Sequence, residues 1–142
     1  MKQIEGEARI AKRGDIMTSR FAQWTLDVHD SRKMAAFWSA ALGYEIEHDG
    51  EGPHLWPPAD APRGSLTVWL QPTDSPKRDK NRNHPDLHVP DGGDVDAEVK
   101  RLVGLGATRV DVGQKGDEGF VVLADPEGNE FCLLYRRHPQ GA

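Results

Sequence analysis

The chain has 142 residues, a formal net charge of -5 at pH 7, 37% hydrophobic residues and 29% charged residues. This length fits one domain, or two small halves that share a core, and the composition is typical of a soluble globular protein. A membrane span needs about 18 consecutive apolar residues, and the sequence contains no such run. The acidic balance argues against nucleic acid and anionic membranes as partners, because both attract basic surfaces.

The single cysteine and the chain ends bear on cellular location. Cys132 has no partner for an internal disulfide, and one cysteine cannot build a cysteine-based zinc cluster, so we expect a reducing, cytoplasmic location. Residues 1–20 lack the apolar run of about 7–15 residues that a secretory signal requires. We interpret residues 1–20 as an N-terminal extension and residues 136–142 as a C-terminal tail.

An internal repeat organises the rest of the chain. The segment QWTLDVHD at 23–30 matches HPDLHVPD at 84–91 with an offset of 61 positions. A two-residue insertion then changes the offset to 63, so that Leu42–Gly43 falls on Leu105–Gly106. An offset that persists in this way indicates a duplicated unit.

Each half of the repeat predicts one strand, one helix and three shorter strands. In the first module, 21–71, we predict strand 23–30, helix Lys33–Leu42 and strands Tyr44–His48, His54–Trp56 and Ser65–Gln71. A polar linker at 72–83 leads to the second module, 84–135, with strand 84–91, helix Val95–Leu105 and strands Thr108–Val112, Phe120–Leu123 and Glu130–Tyr135. One helix covers only one face of a sheet, so the pattern predicts an α+β fold of two βαβββ modules. Their sheets would form a curved cleft, with the helices outside.

Four residues mark the ends of the predicted helices. Asp30, or Ser31 beside it, can cap the first helix, and Asp94 can cap the second. Gly43 and Gly106 follow the last helical residues, where a left-handed conformation is favoured.

Alternation along the strands divides each sheet into a helix-facing side and an open side. The open side of the first module carries Gln23, Thr25, Asp27, Thr67, Trp69 and Gln71, and that of the second carries His84, Asp86, His88, Glu130, Cys132 and Leu134. A mostly polar face either meets solvent or lines a ligand cavity. Trp69 favours the cavity, because an aromatic ring offers a ligand a flat surface at low entropic cost.

Four open-side residues have both a chemical and a plain structural interpretation. Glu130 is either a general base or an exposed carboxylate, and His84 is either a metal ligand or base or an anchor for the linker. Cys132 is either a reactive thiol or a small buried hydrophobic residue. Asp86 is either one half of a carboxylate pair with Asp27 or a solvated acid.

Several segments resemble the vicinal oxygen chelate superfamily, and within it the glyoxalase-like proteins akin to bleomycin-resistance proteins. The segments are VHDSRKMAAFWSAALGYE, KNRNHPDLHV, the helix end LVGLGAT and VVLADPEGNEFCLL, and the resemblance covers residues 21–135. It implies paired βαβββ modules around a cleft that holds a small molecule, a homodimer, and often a divalent metal in the cleft.

The resemblance carries the metal-ligand positions of the family onto Gln23, Trp69, His84 and Cys132. The imidazole is a good ligand, the amide is a weak one and the indole cannot ligate. A thiolate favours zinc over magnesium or manganese. Gln71 and Glu130 each lie two residues from one of these positions, on the same face of the strand.

We therefore predict a glyoxalase-like protein that binds a small organic molecule without the usual catalytic metal. Glu130 is the candidate catalytic residue, and the candidate ligand-binding residues are Gln23, Trp69, Gln71, His84, Asp86 and Cys132. The alternative is a metal-dependent lyase, isomerase or dioxygenase acting on a substrate with vicinal oxygens. In that alternative His84, Gln23 and Cys132 hold a divalent metal such as zinc.

Overall fold

The computed structural model describes residues 17–135, so most of the predicted N-terminal extension and all of the C-terminal tail lie outside the described residues. The elements in chain order are β1 (Gln23–Val28), α1 (Ser31–Leu42), β2 (Glu45–Asp49), β3 (Gly52–Trp56), β4 (Thr67–Pro72), β5 (Asp86–His88), α2 (Val95–Leu105), β6 (Thr108–Arg109), β7 (Phe120–Ala124) and β8 (Glu130–Leu134). Within 17–135, no helix combines the length and the apolar character needed to cross a membrane.

The strands form two mixed sheets of identical topology. The first module has the strand order β1-β4-β3-β2 and the second has β5-β8-β7-β6. In each sheet the first and last strands of the module pair in parallel, while the remaining pairs are antiparallel. The predicted α+β fold of two βαβββ modules is confirmed.

The helix ends follow the local chemistry of the sequence. Asp30 Oδ1 accepts a hydrogen bond from the N–H of Lys33 at 3.0 Å, and Asp94 Oδ2 accepts one from the N–H of Ala97 at 3.0 Å. Gly43 ends α1 with a φ of 71°, which a residue without Cβ adopts readily. Both predicted N-caps are confirmed.

The strand that opens the second module is shorter than predicted. The sequence pattern predicts a strand at 84–91, but β5 covers only Asp86–His88. Pro85 and Pro90 flank it, and a proline has no N–H to donate to a neighbouring strand.

A shared aromatic cluster joins the two modules behind their sheets. The Trp38 ring on α1 lies 5.0 Å from Trp24 of β1 and 5.1 Å from Phe131 of β8, measured between ring centroids. Trp38 and Phe131 are 1% and 0% exposed. Because one helix buries its aromatic face against both sheets, the modules share a single hydrophobic core.

Candidate functional site

The open face of the second module forms a cavity of about 220 Å³. It has an apolar wall and a polar end, and its lining residues are Val112, Phe120, Val122 and Leu134 on the wall, and Lys80, His84, Asp86, Glu130 and Cys132 around the polar end. We call it the second-module cavity.

Three potential metal ligands converge at the polar end. Asp86 and Cys132 are paired positions of the parallel strands β5 and β8, so their side chains lie side by side. His84 stands two residues before Asp86, and its Nδ1 lies 3.4 Å from Asp86 Oδ1. One donor atom each from His84, Asp86 and Cys132 lie within 4.8 Å of one another.

The Cys132 side chain is a protonated thiol in this environment. Only 8% of the residue is exposed, so the interpretation of Cys132 as a buried residue is confirmed. Burial is the largest cause that raises the pKa of Cys132 to about 11, and the charge and hydrogen bond of Asp86 act in the same direction. A thiol with this pKa is not a nucleophile at neutral pH.

The donor chemistry of the three residues suits zinc. An imidazole, a carboxylate and a thiol form a mixed nitrogen, oxygen and sulfur set, which zinc accepts and magnesium does not. His84, Asp86 and Cys132 could therefore hold a zinc ion, and the thiol proton would leave on binding. Gln23 of the predicted ligand set lies at the start of β1 in the first module and does not line the second-module cavity.

Glu130 is covered by the linker. Its Oε1 accepts a hydrogen bond from the N–H of Asn81 at 2.9 Å, and its Oε2 accepts one from Lys77 Nζ at 3.0 Å. The residue is 8% exposed, so the interpretation of Glu130 as an exposed carboxylate is wrong. Burial pushes the pKa of Glu130 up, but the bonds from Asn81 and Lys77 and the charge of Lys77 outweigh it and lower the pKa.

The open face of the first module carries a row of stacked rings, which we call the aromatic row: Trp56, His54 and Trp69. The His54 ring lies 5.8 Å from Trp69 with an interplanar angle of 7°, and 6.1 Å from Trp56 with an angle of 29°. His54 and Trp56 are two residues apart on β3, so both side chains lie on the same face of the sheet as Trp69. The alternation rule that located Trp69 could have found them.

A family model for the glyoxalase-like domain matches residues 23–134. The chain belongs to the glyoxalase-like domain family. With the fold, this places it in the vicinal oxygen chelate superfamily. No curated protein matches the chain.

Solved structures resemble this glyoxalase-like chain over most of its length. Hypothetical protein SA1046 from S. aureus has 22% identity and a TM-score of 0.63, covering 84% of this chain and 95% of that one. A mutant of the fosfomycin resistance protein FosX from Listeria monocytogenes, complexed with Mn(II) and 1S,2S-dihydroxypropylphosphonic acid, has 21% identity, a TM-score of 0.65 and coverage of 87% and 95%. A glyoxalase/bleomycin resistance protein/dioxygenase family enzyme from Burkholderia phytofirmans PsJN has 17% identity, a TM-score of 0.60 and coverage of 81% and 97%. At these identities the likeness shows a shared fold.

The predicted site residues of this glyoxalase-like chain fall into two groups. His84, Asp86, Glu130 and Cys132 line the second-module cavity, whereas Gln23, Trp69 and Gln71 lie on β1 and β4 of the first module and are not part of its lining. Asp27, the possible carboxylate partner of Asp86, lines a larger cavity beneath the linker, which shares Glu130 with the second-module cavity. No sequence signal pointed to Lys77 and Asn81, because their contacts with Glu130 join positions far apart in the chain.

Proposed function

We propose that this chain binds a small organic molecule in the second-module cavity. The observation that supports this function is the arrangement of the lining, with Phe120, Val122 and Leu134 on the wall and the His84–Asp86 pair at one end. Ligand sites are typically concave and mostly apolar, with a few polar groups that fix orientation. The volume of about 220 Å³ fits a metabolite-sized molecule.

The polar end defines the head group of the proposed ligand. His84 can donate or accept a hydrogen bond, Asp86 accepts, and Lys80 at the rim is a cation. A ligand with an apolar body and one hydrogen-bonding head group would match the apolar wall and the polar end of the cavity. Direct contacts of Gln23, Trp69 and Gln71 with that ligand stay predictions.

A metal-dependent enzyme is the second candidate, and the convergence of His84, Asp86 and Cys132 within 4.8 Å favours it. A bound zinc ion would supply Lewis acidity toward the oxygens of a substrate. In this candidate Glu130, one of the two carboxylates in the cavity lining, accepts the proton. Its bonds with Lys77 and Asn81 lower its basicity, so proton transfer would require the linker to release it.

A thermal-shift screen with the purified full-length protein tests ligand binding. The protein is first dialysed against EDTA and then heated with a panel of uncharged and anionic metabolites. We expect at least one compound to raise Tm, because a ligand that binds only the native state stabilises it. Phe120→Ala should remove that shift, whereas the matched control Phe21→Ala, at a residue 92% exposed and outside the cavity lining, should retain it.

Two results decide between the candidates. A Tm shift that survives unchanged in Phe120→Ala, or a panel without any shift, would overturn the binding proposal. One zinc per chain after reloading, lost in both Asp86→Asn and Cys132→Ser, would establish the metal site and overturn the metal-free preference. The metal readout is zinc content, so it does not depend on finding a substrate.

A homodimer and a cytoplasmic location complete the proposed function. Sedimentation equilibrium of the full-length protein tests the first, and a monomer at all concentrations would contradict it. Fractionation of cells that express the chain tests the second.

A further inference from the structure

We propose that the open face of the first module binds an organic cation, an ammonium or guanidinium group that carries apolar surface. The proposal rests on the aromatic row and on the charges around it. It concerns a different module from the second-module cavity and does not depend on ligand binding there.

The strand register places the aromatic row among acidic and uncharged polar side chains. Across the sheet, Glu47 of β2 pairs with His54 of β3, His54 pairs with Trp69 of β4, and Trp69 pairs with Thr25 of β1. Paired positions point to the same face, so these four side chains form one line across the open face. Trp56 stands beside His54, two residues further along β3, and pairs with Glu45 of β2.

Hydrogen bonds hold both indoles in place. Trp56 Nε1 donates to Glu47 Oε1 at 3.1 Å, and Trp69 Nε1 donates to the carbonyl oxygen of Glu51 at 3.3 Å. Trp56 nevertheless remains 46% exposed. An indole that is fixed at its polar edge and open on its ring surface loses little entropy when a ligand lies against it.

The first-module sheet does not need these rings for its core. Leu55, between His54 and Trp56 on β3, is 0% exposed, and its partner Val68 on β4 is 2% exposed. The helix-facing side therefore supplies the buried apolar surface. A cross-strand pair on the open face adds less than about 1 kcal/mol to sheet stability, so such a role alone does not explain two tryptophans there.

The charge of the face selects a cation. Two acids, Glu45 and Glu47, lie beside the aromatic row, and the strand positions of this face that are described with side chains include neither lysine nor arginine. Asp27 lies further away on β1, in a cavity that Lys77 and Arg82 also line. The faces of aromatic rings carry negative electrostatic potential and attract ammonium and guanidinium groups, with tryptophan the strongest. Carboxylates add attraction of the same sign, so a cation gains from both features and an anion is repelled.

Titration with three probes that share an aromatic ring and differ in charge tests the proposal. Benzyltrimethylammonium carries the positive charge, benzyl alcohol is neutral and benzenesulfonate is negative. The full-length protein, labelled with ¹⁵N, is titrated with each while the indole N–H resonances are followed by NMR. We expect the cation to shift the Trp56 and Trp69 resonances saturably and to bind about tenfold more tightly than benzyl alcohol, with no saturable shift for the sulfonate.

Variants locate the site. Trp56→Leu and Glu45→Gln should each weaken cation binding, the first by about tenfold, while Trp56→Phe should retain part of the affinity because it keeps an aromatic face. Phe120→Ala in the second-module cavity should leave cation binding unchanged, so failure of this proposal and failure of the proposed function are distinguishable. Equal affinity for the cation and benzyl alcohol, or full affinity in Trp56→Leu, would overturn the proposal. A dimer in sedimentation whose indole signals ignore the cation would also overturn it, and would show that a second copy covers the face.

Discussion

The two modules place different chemistry on the same backbone positions. Thr25 and Trp69 are partners in the parallel pair of the first module, and Asp86 and Cys132 are the corresponding partners in the second. One pair contributes to an aromatic, acidic surface and the other to a potential metal site. The helix-facing sides remain apolar in both modules because they build the common core, whereas the open-face side chains lie outside that core.

The modules also differ in what covers their open faces. In the second module the linker bonds to Glu130 through Lys77 and Asn81, and both Glu130 and Cys132 are 8% exposed. In the first module Trp56 remains 46% exposed. The same topology therefore yields one site that the linker partly covers and one open aromatic surface.

The largest expected effect concerns the core that the modules share. Trp38→Ala should lower the free energy of unfolding by about 3–5 kcal/mol, because it removes a buried ring that packs against Trp24 and Phe131. Chemical denaturation followed by far-UV circular dichroism measures the loss. Val103→Ala on α2, where the valine is 44% exposed, is the matched control and should change stability by less than about 0.5 kcal/mol.

The shape of that transition tests whether the modules are separable. A shared core predicts that the Trp38→Ala protein still unfolds in one cooperative step, with both modules lost together. Two resolved transitions would show instead that each module folds on its own. The modules would then be two independently folding domains that differ in their open faces.

A smaller loss in the free energy of unfolding is expected when the hydrogen bonds that Asp125 accepts are disturbed. Asp125 of the second module accepts bonds from Trp38 Nε1, the side-chain nitrogen of Asn129, and the backbone N–H groups of Glu127 and Asn129. Asp125→Asn replaces one of its two acceptor oxygens by a donor that faces other donors. We expect a loss of about 2 kcal/mol at neutral pH, measured by denaturant unfolding.

The pH dependence of the Asp125→Asn difference has a defined sign. Burial, the largest cause, raises the pKa of Asp125 despite its hydrogen bonds. A raised folded-state pKa contributes stability that is present below the unfolded pKa and is lost as the pH rises through the folded value. The advantage of the native protein over Asp125→Asn should therefore grow as the pH falls through that window. An advantage that shrinks there would contradict the raised pKa.

The sequence predicted the structural features that depend on neighbouring residues, such as the helix N-caps. Asp30 and Asp94 cap their helices because a carboxylate on the residue immediately before a helix can accept from its free N–H groups. The repeat predicted the equal topology of the two sheets, because duplicated hydrophobic patterns fold in the same way.

Contacts between distant segments could not be predicted in this way. Alternation along β8 placed Glu130 on the open face. Its burial depends on how the linker crosses that face, and the amino-acid composition of the linker does not predict that course. The repeat likewise shows that Trp69 and Cys132 are equivalent within their modules. It does not show how the modules are arranged, so it could not decide whether these two residues share a site.

The smallest expected effect tests the linker as the source of the difference between the open faces. Lys77 Nζ lies 3.0 Å from Glu130 Oε2, with the two side chains 27% and 10% exposed. Lys77→Met keeps the apolar stem, removes the bond to Glu130 and the bond to the carbonyl oxygen of Asp79, and leaves Glu130 the bond from the N–H of Asn81. We expect a loss of about 1 kcal/mol, since partial solvent screening weakens the pair, and denaturant unfolding measures it.

Lys80→Met is the matched control, because among residues 17–135 the ammonium group of Lys80 bonds only to the carbonyl oxygen of Asn81, at 3.4 Å. Its loss should stay below about 0.5 kcal/mol. If both variants lose the same amount, the Lys77–Glu130 contact does not fasten the linker. The burial of Glu130 would then rest on its bond from Asn81 and on the side chains of the second module. A larger loss for Lys77→Met means that the contact with Glu130 helps to fasten the linker over the open face of the second module.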